Sequence, residues 1–89
     1  MEAMADAGEA QGLDRDLALT LAKATVAGAG ALAMEASEDP SQLRVNVTSP
    51  NGTTQAALEV LMDEEEGLRP LMQRAVAAAT ARSKELADG

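Results

Sequence analysis

The chain contains no cysteine, no histidine and no aromatic residue, and its aliphatic side chains include no isoleucine. Each absence removes a class of chemistry. Without Cys or His there is no thiolate nucleophile, no imidazole base and no ordinary zinc site. A metal would have to rely on carboxylates, and Glu64-Glu65-Glu66 lacks the alternating ligand geometry of a calcium loop. That triplet reads as a solvated helix end, so no metal site is expected. Without aromatics there is no platform for base stacking. With 7 Lys and Arg against 15 Asp and Glu, a formal charge of −8 repels a phosphate backbone, and nucleic acid is excluded as a partner. Long hydrophobic runs are missing too. Ala24 to Met34 is uncharged for only eleven residues, about half a membrane span. The N-terminus is acidic and no apolar signal-peptide region follows it. The expectation is a soluble, cytoplasmic protein with no membrane partner; the lack of cysteine is neutral on compartment.

What is present is mostly small. Twenty alanines accompany 11 Leu, 5 Val and 5 Met in 89 residues, which is one domain at most. So few large side chains make a thin core, and a lone monomer should be marginal. A partner subunit is expected on that ground alone.

The chain reads as helices without strands. Residues 1–10 look like the tail of a helix, ended by Gly8 and Gly12. Asp14 is an N-cap candidate for a second helix, with Asp16 favourable beside the positive end of its dipole. There Leu17, Leu21, Ala24, Gly28 and Leu32 recur on one face, while Ala18, Leu19, Ala22, Val26, Ala27 and Ala29 spread apolar surface around the rest. Such a pattern signals burial on several sides. Gly28, near Ala24 and Ala31, would let another helix backbone approach closely. Gly28-Ala29-Gly30-Ala31-Leu32-Ala33 nominally fits a dinucleotide fingerprint. That fingerprint has meaning only between a strand and a helix N-terminus, and here the preceding residues are helix-patterned. No cofactor-binding residue is assigned.

Asp39-Pro40 is an N-cap followed by proline at the first helical position, opening a short helix to about Val45. A further helix starts at Thr53 or Thr54, runs to about Glu65, and is broken by Gly67. Leu68, Leu71, Met72, Ala75, Val76, Ala79, Ser83 and Leu86 then recur at helical spacing, with Pro70 in the first turn. Arg74, Arg82 and Lys84 put positive charge in the later part of this last helix, as its dipole prefers.

The most informative stretch is Val47-Thr48-Ser49-Pro50-Asn51-Gly52-Thr53-Thr54. Pro50 presets φ at one turn corner, and Asn51-Gly52 tolerate left-handed conformations. The backbone N–H groups of Gly52, Thr53 and Thr54 then stand at a helix start without intrahelical partners, free to hold an anion. The plainer reading of the same residues is a helix cap with no ligand.

This stretch, followed by Gln55-Ala56-Ala57-Leu58-Glu59-Val60-Leu61, resembles the signature of pyrroline-5-carboxylate reductase. The resemblance runs through nearly the whole chain in order. Glu2-Ala3-Met4-Ala5-Asp6-Ala7-Gly8 with Gly12-Leu13 is similar to a helix end and turn of that family, and Ala18 to Met34 to its long central helix. Asp39-Pro40-Ser41-Gln42-Leu43-Arg44 resembles the step before the signature. Gly67-Leu68-Arg69, Ala75 to Thr80, and Arg82-Ser83-Lys84-Glu85-Leu86 resemble the closing helix. Two departures stand out: Asn51 where many members carry Gly, and Val45 where many carry an acidic residue. Asn is the best non-Gly occupant of a left-handed position, so the turn should survive.

The resemblance implies an all-α fold, a helical dimerisation domain of the type found at the C-terminus of 6-phosphogluconate dehydrogenase, with interleaved helices. Residues 1–89 would be that domain, partial at its N-terminus, and the family's nucleotide-binding Rossmann half would lie outside the chain. The family reaction is hydride transfer from NADH or NADPH to the C=N carbon of 1-pyrroline-5-carboxylate, giving L-proline. By resemblance, the Ser49 hydroxyl and the Gly52 and Thr53 N–H groups hold the substrate carboxylate, with Asn51 in the same loop. The Thr54 hydroxyl, the one catalytic candidate, hydrogen-bonds the ring nitrogen. NADP or NAD would serve the complete enzyme, and this chain alone would bind neither and be inactive. A homodimer or a higher oligomer is implied. The alternative is a stand-alone helical oligomerisation module without chemistry.

Overall fold

The computed structural model describes residues 1–89, and its regular structure is entirely helical: α1 (Glu2–Ala10), α2 (Arg15–Glu35), α3 (Pro40–Asn46), α4 (Thr53–Leu61) and α5 (Leu68–Asp88). It divides into two compact units, Met1–Leu43 and Arg44–Gly89. The physical reason lies in the packing, because α1 and α2 are the one pair of helices in extensive contact.

In the first unit, small residues bring α1 and α2 together. Ala5, Ala18 and Ala22 are buried, with Leu19 packed against them. Gly8 does not end the first helix, as the sequence suggests; it lies within α1 and makes room for α2. A Cβ there would stand 3.3 Å from the Ala18 Cβ and 3.3 Å from Leu13 Cδ1. The stop is Gly12, whose φ of 103° is the left-handed conformation that breaks a helix at low cost. Asp14 then caps α2 by accepting the Asp16 N–H at 3.2 Å. Arg15 reaches back to Asp6 and Glu9, and the hydrogen bond to Asp6 is the leading reason its guanidinium holds its proton even more firmly than usual. These are exposed pairs, so they orient the hairpin more than they stabilise it.

Around Gly28 the expectation of close helix approach is not met within the chain. A Cβ at Gly28 or Gly30 would find nothing within 4 Å. Leu17, Leu21, Val26, Leu32 and Met34 are likewise exposed, Met34 to 87%. By length and composition α2 could cross a membrane, its best window having a mean hydropathy of 1.5. The eleven uncharged residues understate this, because alanine keeps the hydropathy high on both sides of Lys23. Core helices of soluble assemblies have the same composition.

In the second unit, α4 ends at Leu61, short of the expected Glu65. Asp63 intervenes: its Oδ2 accepts the Glu65 and Glu66 N–H groups at 3.1 and 2.7 Å. A side chain that bonds nearby N–H groups competes with helix propagation. Three glutamates would also meet the negative end of the α4 dipole. Glu64–Glu66 thus form a separate exposed turn, closed by the Gly67 N–H on the Asp63 carbonyl at 3.0 Å. Gly67 then starts α5. No residue of α5 is buried, and its apolar stripe is open from Leu68 to Leu86. Met72, Gln73, Val76 and Ala77 line a groove of about 470 Å³ along that stripe.

The accessible surface is 7279 Å² for 9.1 kDa. Two compact units of half that mass would together expose about 5,900 Å². The excess is larger than the roughly 800 Å² that each partner buries in an interface of standard size. Large apolar side chains on α2 and α5 are among those left exposed, as expected of a helical chain completed by another subunit.

Candidate functional site

The loop between α3 and α4 is built from both ends. At its start, Asp39 caps α3: its Oδ1 accepts the Ser41 hydroxyl at 2.6 Å and the Ser41 and Gln42 N–H groups at 3.0 and 3.2 Å. The Ser41 hydroxyl, then the Gln42 N–H, hold this carboxyl below its ordinary range. The helix runs to Asn46, one residue past the expected end. Thr48 closes it, donating its hydroxyl to the Arg44 carbonyl at 2.6 Å and its N–H to the Val45 carbonyl at 3.1 Å.

Ser49-Pro50-Asn51-Gly52 form a type II turn. Pro50 occupies the first corner, Asn51 the second with φ 61°, and the Gly52 N–H donates to the Ser49 carbonyl at 3.1 Å. Of the two residues expected to tolerate left-handed backbone, only Asn51 adopts it. Gly52 is extended, with φ −89° and ψ −176°, and is the N-cap of α4. What requires glycine there is proximity, since a Cβ would stand 3.2 Å from the Ser49 carbonyl oxygen.

One expectation is corrected here. The Gly52 N–H is not free for an anion, because the turn itself uses it. The first N–H bonded back into the helix is that of Ala56, which donates to the Gly52 carbonyl at 3.2 Å. The N–H groups of Thr53 and Thr54 therefore stand at the start of α4 without acceptors in the chain, as first-turn donors do. The Ser49, Thr53 and Thr54 hydroxyls also have no partner within the chain. Ser49 and Thr53 are exposed and Thr54 is half-buried. Three hydroxyl-bearing residues and two free amides thus lie in and just before the first turn of α4, at the positive end of its dipole, an arrangement that suits a small anion.

Gln55 escaped the sequence reading. Its Oε1 accepts the Asn51 N–H. It also lines a cavity of about 280 Å³ with Arg44, Val45, Thr48, Pro50 and Leu58. The available signal was its position: a Gln three residues beyond the N-cap is the second half of a capping box.

Gly28-x-Gly30 lies in the interior of α2, where backbone amides bond within the helix. There is no strand before it. This glycine pattern therefore does not fit the phosphates of a dinucleotide, and no groups of His, Cys, Asp or Glu are placed to hold a metal ion.

A family model described as pyrroline-5-carboxylate reductase dimerisation matches residues 1–86. Curated relatives named pyrroline-5-carboxylate reductase agree with it. The chain is 50% identical to the protein from Pisum sativum over 86 residues, 97% of this chain and 31% of the relative. It is 44% identical to that from Pseudomonas aeruginosa over 88 residues, 99% of this chain and 32% of the relative. The protein from Methanosarcina acetivorans is 48% identical over 86 residues, 97% of this chain and 31% of the relative. The chain thus spans about a third of the length of the curated relatives it matches.

Proposed function

The chain belongs to the pyrroline-5-carboxylate reductase dimerisation family, and from that membership we propose that it is the substrate-binding and dimerisation part of a reductase that converts 1-pyrroline-5-carboxylate to L-proline. It works in the cytoplasm as a homodimer or higher oligomer, with residues 1–89 as one functional domain. The open apolar faces of α2 and α5 support the assembly; in this reading they meet protein rather than lipid. The nicotinamide cofactor, NADPH or NADH, is held outside these residues.

The single observation that carries the substrate reading is the pair of unsatisfied N–H groups at Thr53 and Thr54, which follow directly on the turn from Ser49 through Asn51. In this proposal those two groups and the Ser49 hydroxyl hold the carboxylate, and Gly52 contributes space rather than a donor. The Thr54 hydroxyl hydrogen-bonds the ring nitrogen and orients the C=N bond. Threonine is a poor acid, so the proton reaches that nitrogen through water or is already there in an iminium. The local cradle also explains how a chain of charge −8 binds an anion. Its net field repels substrate at long range, while the helix start attracts it at contact distance. A module without chemistry is the less favoured reading, because a scaffold gains nothing from amides and hydroxyls left unpaired in this loop.

The test is steady-state kinetics on a chimera in which a relative's nucleotide-binding half precedes this chain. Thr54→Ala should lower kcat more than it raises KM, the pattern of a contact strengthened in the transition state. Gly52→Val should raise KM, because its side chain crowds Ser49. If both variants keep wild-type kcat and KM, the loop is only a helix cap.

A further inference from the structure

The loop geometry points to a positioning role for Gln55. We propose that Gln55 holds the Asn51 corner in its left-handed conformation and so sets the direction in which Ser49, Thr53 and Thr54 face a substrate carboxylate. The inference rests on the cradle reading above and adds the residue that keeps the cradle in shape.

Three observations carry it. First, the Asn51 N–H donates to Gln55 Oε1, while Asn51 has φ 61°. Left-handed backbone is unfavourable for a residue with a Cβ, even for Asn, so a glycine at this corner would hold the turn more cheaply than Asn does. A bond to the Asn51 N–H offsets that cost. Second, the bond is not the ordinary cap. In a capping box the side chain at the third helical position takes the N-cap N–H. Here the N-cap N–H, that of Gly52, already goes to Ser49, and Gln55 reaches one residue further into the loop. It therefore restrains the turn rather than the helix, and leaves the Thr53 and Thr54 amides unused. Third, Gln55 is half-buried and lines the cavity with Pro50 and Leu58, so its stem is packed rather than waving in solvent.

The experiment uses the 89-residue chain, 15N-labelled, with Gln55→Leu and Gln55→Glu variants. Leu keeps the bulk and removes the acceptor; Glu keeps both. In Gln55→Leu the Asn51 amide should exchange about tenfold faster, as loss of one hydrogen bond implies. The response of the Thr53 and Thr54 amides to titrated L-proline should weaken several-fold. Gln55→Glu, which keeps the acceptor, should restore the slow Asn51 exchange, and the melting temperature of Gln55→Leu should fall by no more than the few degrees that one hydrogen bond supports. An unchanged Asn51 exchange rate in Gln55→Leu overturns the proposal. So does faster exchange with an unaltered L-proline titration, which would make Gln55 a local cap alone. Wild-type Thr53 and Thr54 amides that ignore L-proline overturn the cradle reading itself, and Gln55's link to a ligand with it. That failure is distinct, because Asn51 exchange is measured without ligand.

Discussion

Gly67 and Asp63 are joined so closely that no side chain fits between them: the Gly67 N–H donates to the Asp63 carbonyl at 3.0 Å, and a Cβ on Gly67 would lie 2.4 Å from the same oxygen. The Leu61 carbonyl would be 2.5 Å away on another side. This buried glycine thus packs the acidic turn against the end of α4 and starts α5, with no need of a left-handed φ. Gly67→Ala should destabilise the chain by about 1–3 kcal/mol through overpacking against backbone that cannot yield cheaply. Thermal unfolding followed by circular dichroism would measure it, and a wild-type midpoint would contradict the geometry.

At Gly28 the chain itself offers no obstacle to a larger side chain. Within a monomer, Gly28→Leu should raise helix stability by roughly the 1 kcal/mol that separates glycine from good helix formers. In an assembly that uses the small face of α2, the same change overpacks an interface, by about 1–3 kcal/mol, and lowers the dimer fraction. Sedimentation equilibrium at micromolar concentration separates the two. The second outcome is expected, and a stable folded monomer would refute the need for a partner.

Titration of the chain with NADPH, followed by nicotinamide fluorescence, should show no saturable binding. The glycines that mimic a fingerprint lie mid-helix with their amides engaged. Saturable binding would require a site that this fold does not show.

Asp39 supplies a pH test. Its folded pKa lies below the ordinary value of 3.8 because its carboxylate accepts bonds from Ser41 and Gln42. A depressed carboxyl pKa contributes stability that is fully present above the unfolded value. That contribution is lost as pH falls through the folded one. The start of α3 should therefore stay ordered at neutral pH and fray only below about pH 3.8. Carboxyl-carbon NMR shifts of Asp39, read against the Ser41 amide, would follow both events. Asp39→Asn keeps a capping oxygen and should remove the acid dependence.

Much of this was legible in the sequence because it depends on neighbours in the chain. Asp14 and Asp39 were readable as caps, Gly12 as a stop and Pro40 as a first helical residue, since each acts on backbone within a few positions. Pro50-Asn51-Gly52 announced a turn for the same reason. The loop's candidate residues could be named, yet the distribution of its hydrogen bonds could not. Whether Gly52 or Asn51 takes the left-handed corner decides which N–H stays free, and only the traced backbone settles that.

The sequence by itself determined the helices, their caps, the turn before α4 and a supply of apolar surface too thin in large side chains for a lone core. Those properties follow from local stereochemistry and composition, which do not depend on what the chain touches. Tertiary structure decided the rest. Gly8 became a contact on α2 instead of a stop, Asp63 cut α4 short, the Gly52 N–H was spent inside the turn, and Gln55 was brought onto Asn51. Each outcome turns on which atoms meet across space, at distances of a few ångströms that no spacing in the sequence encodes.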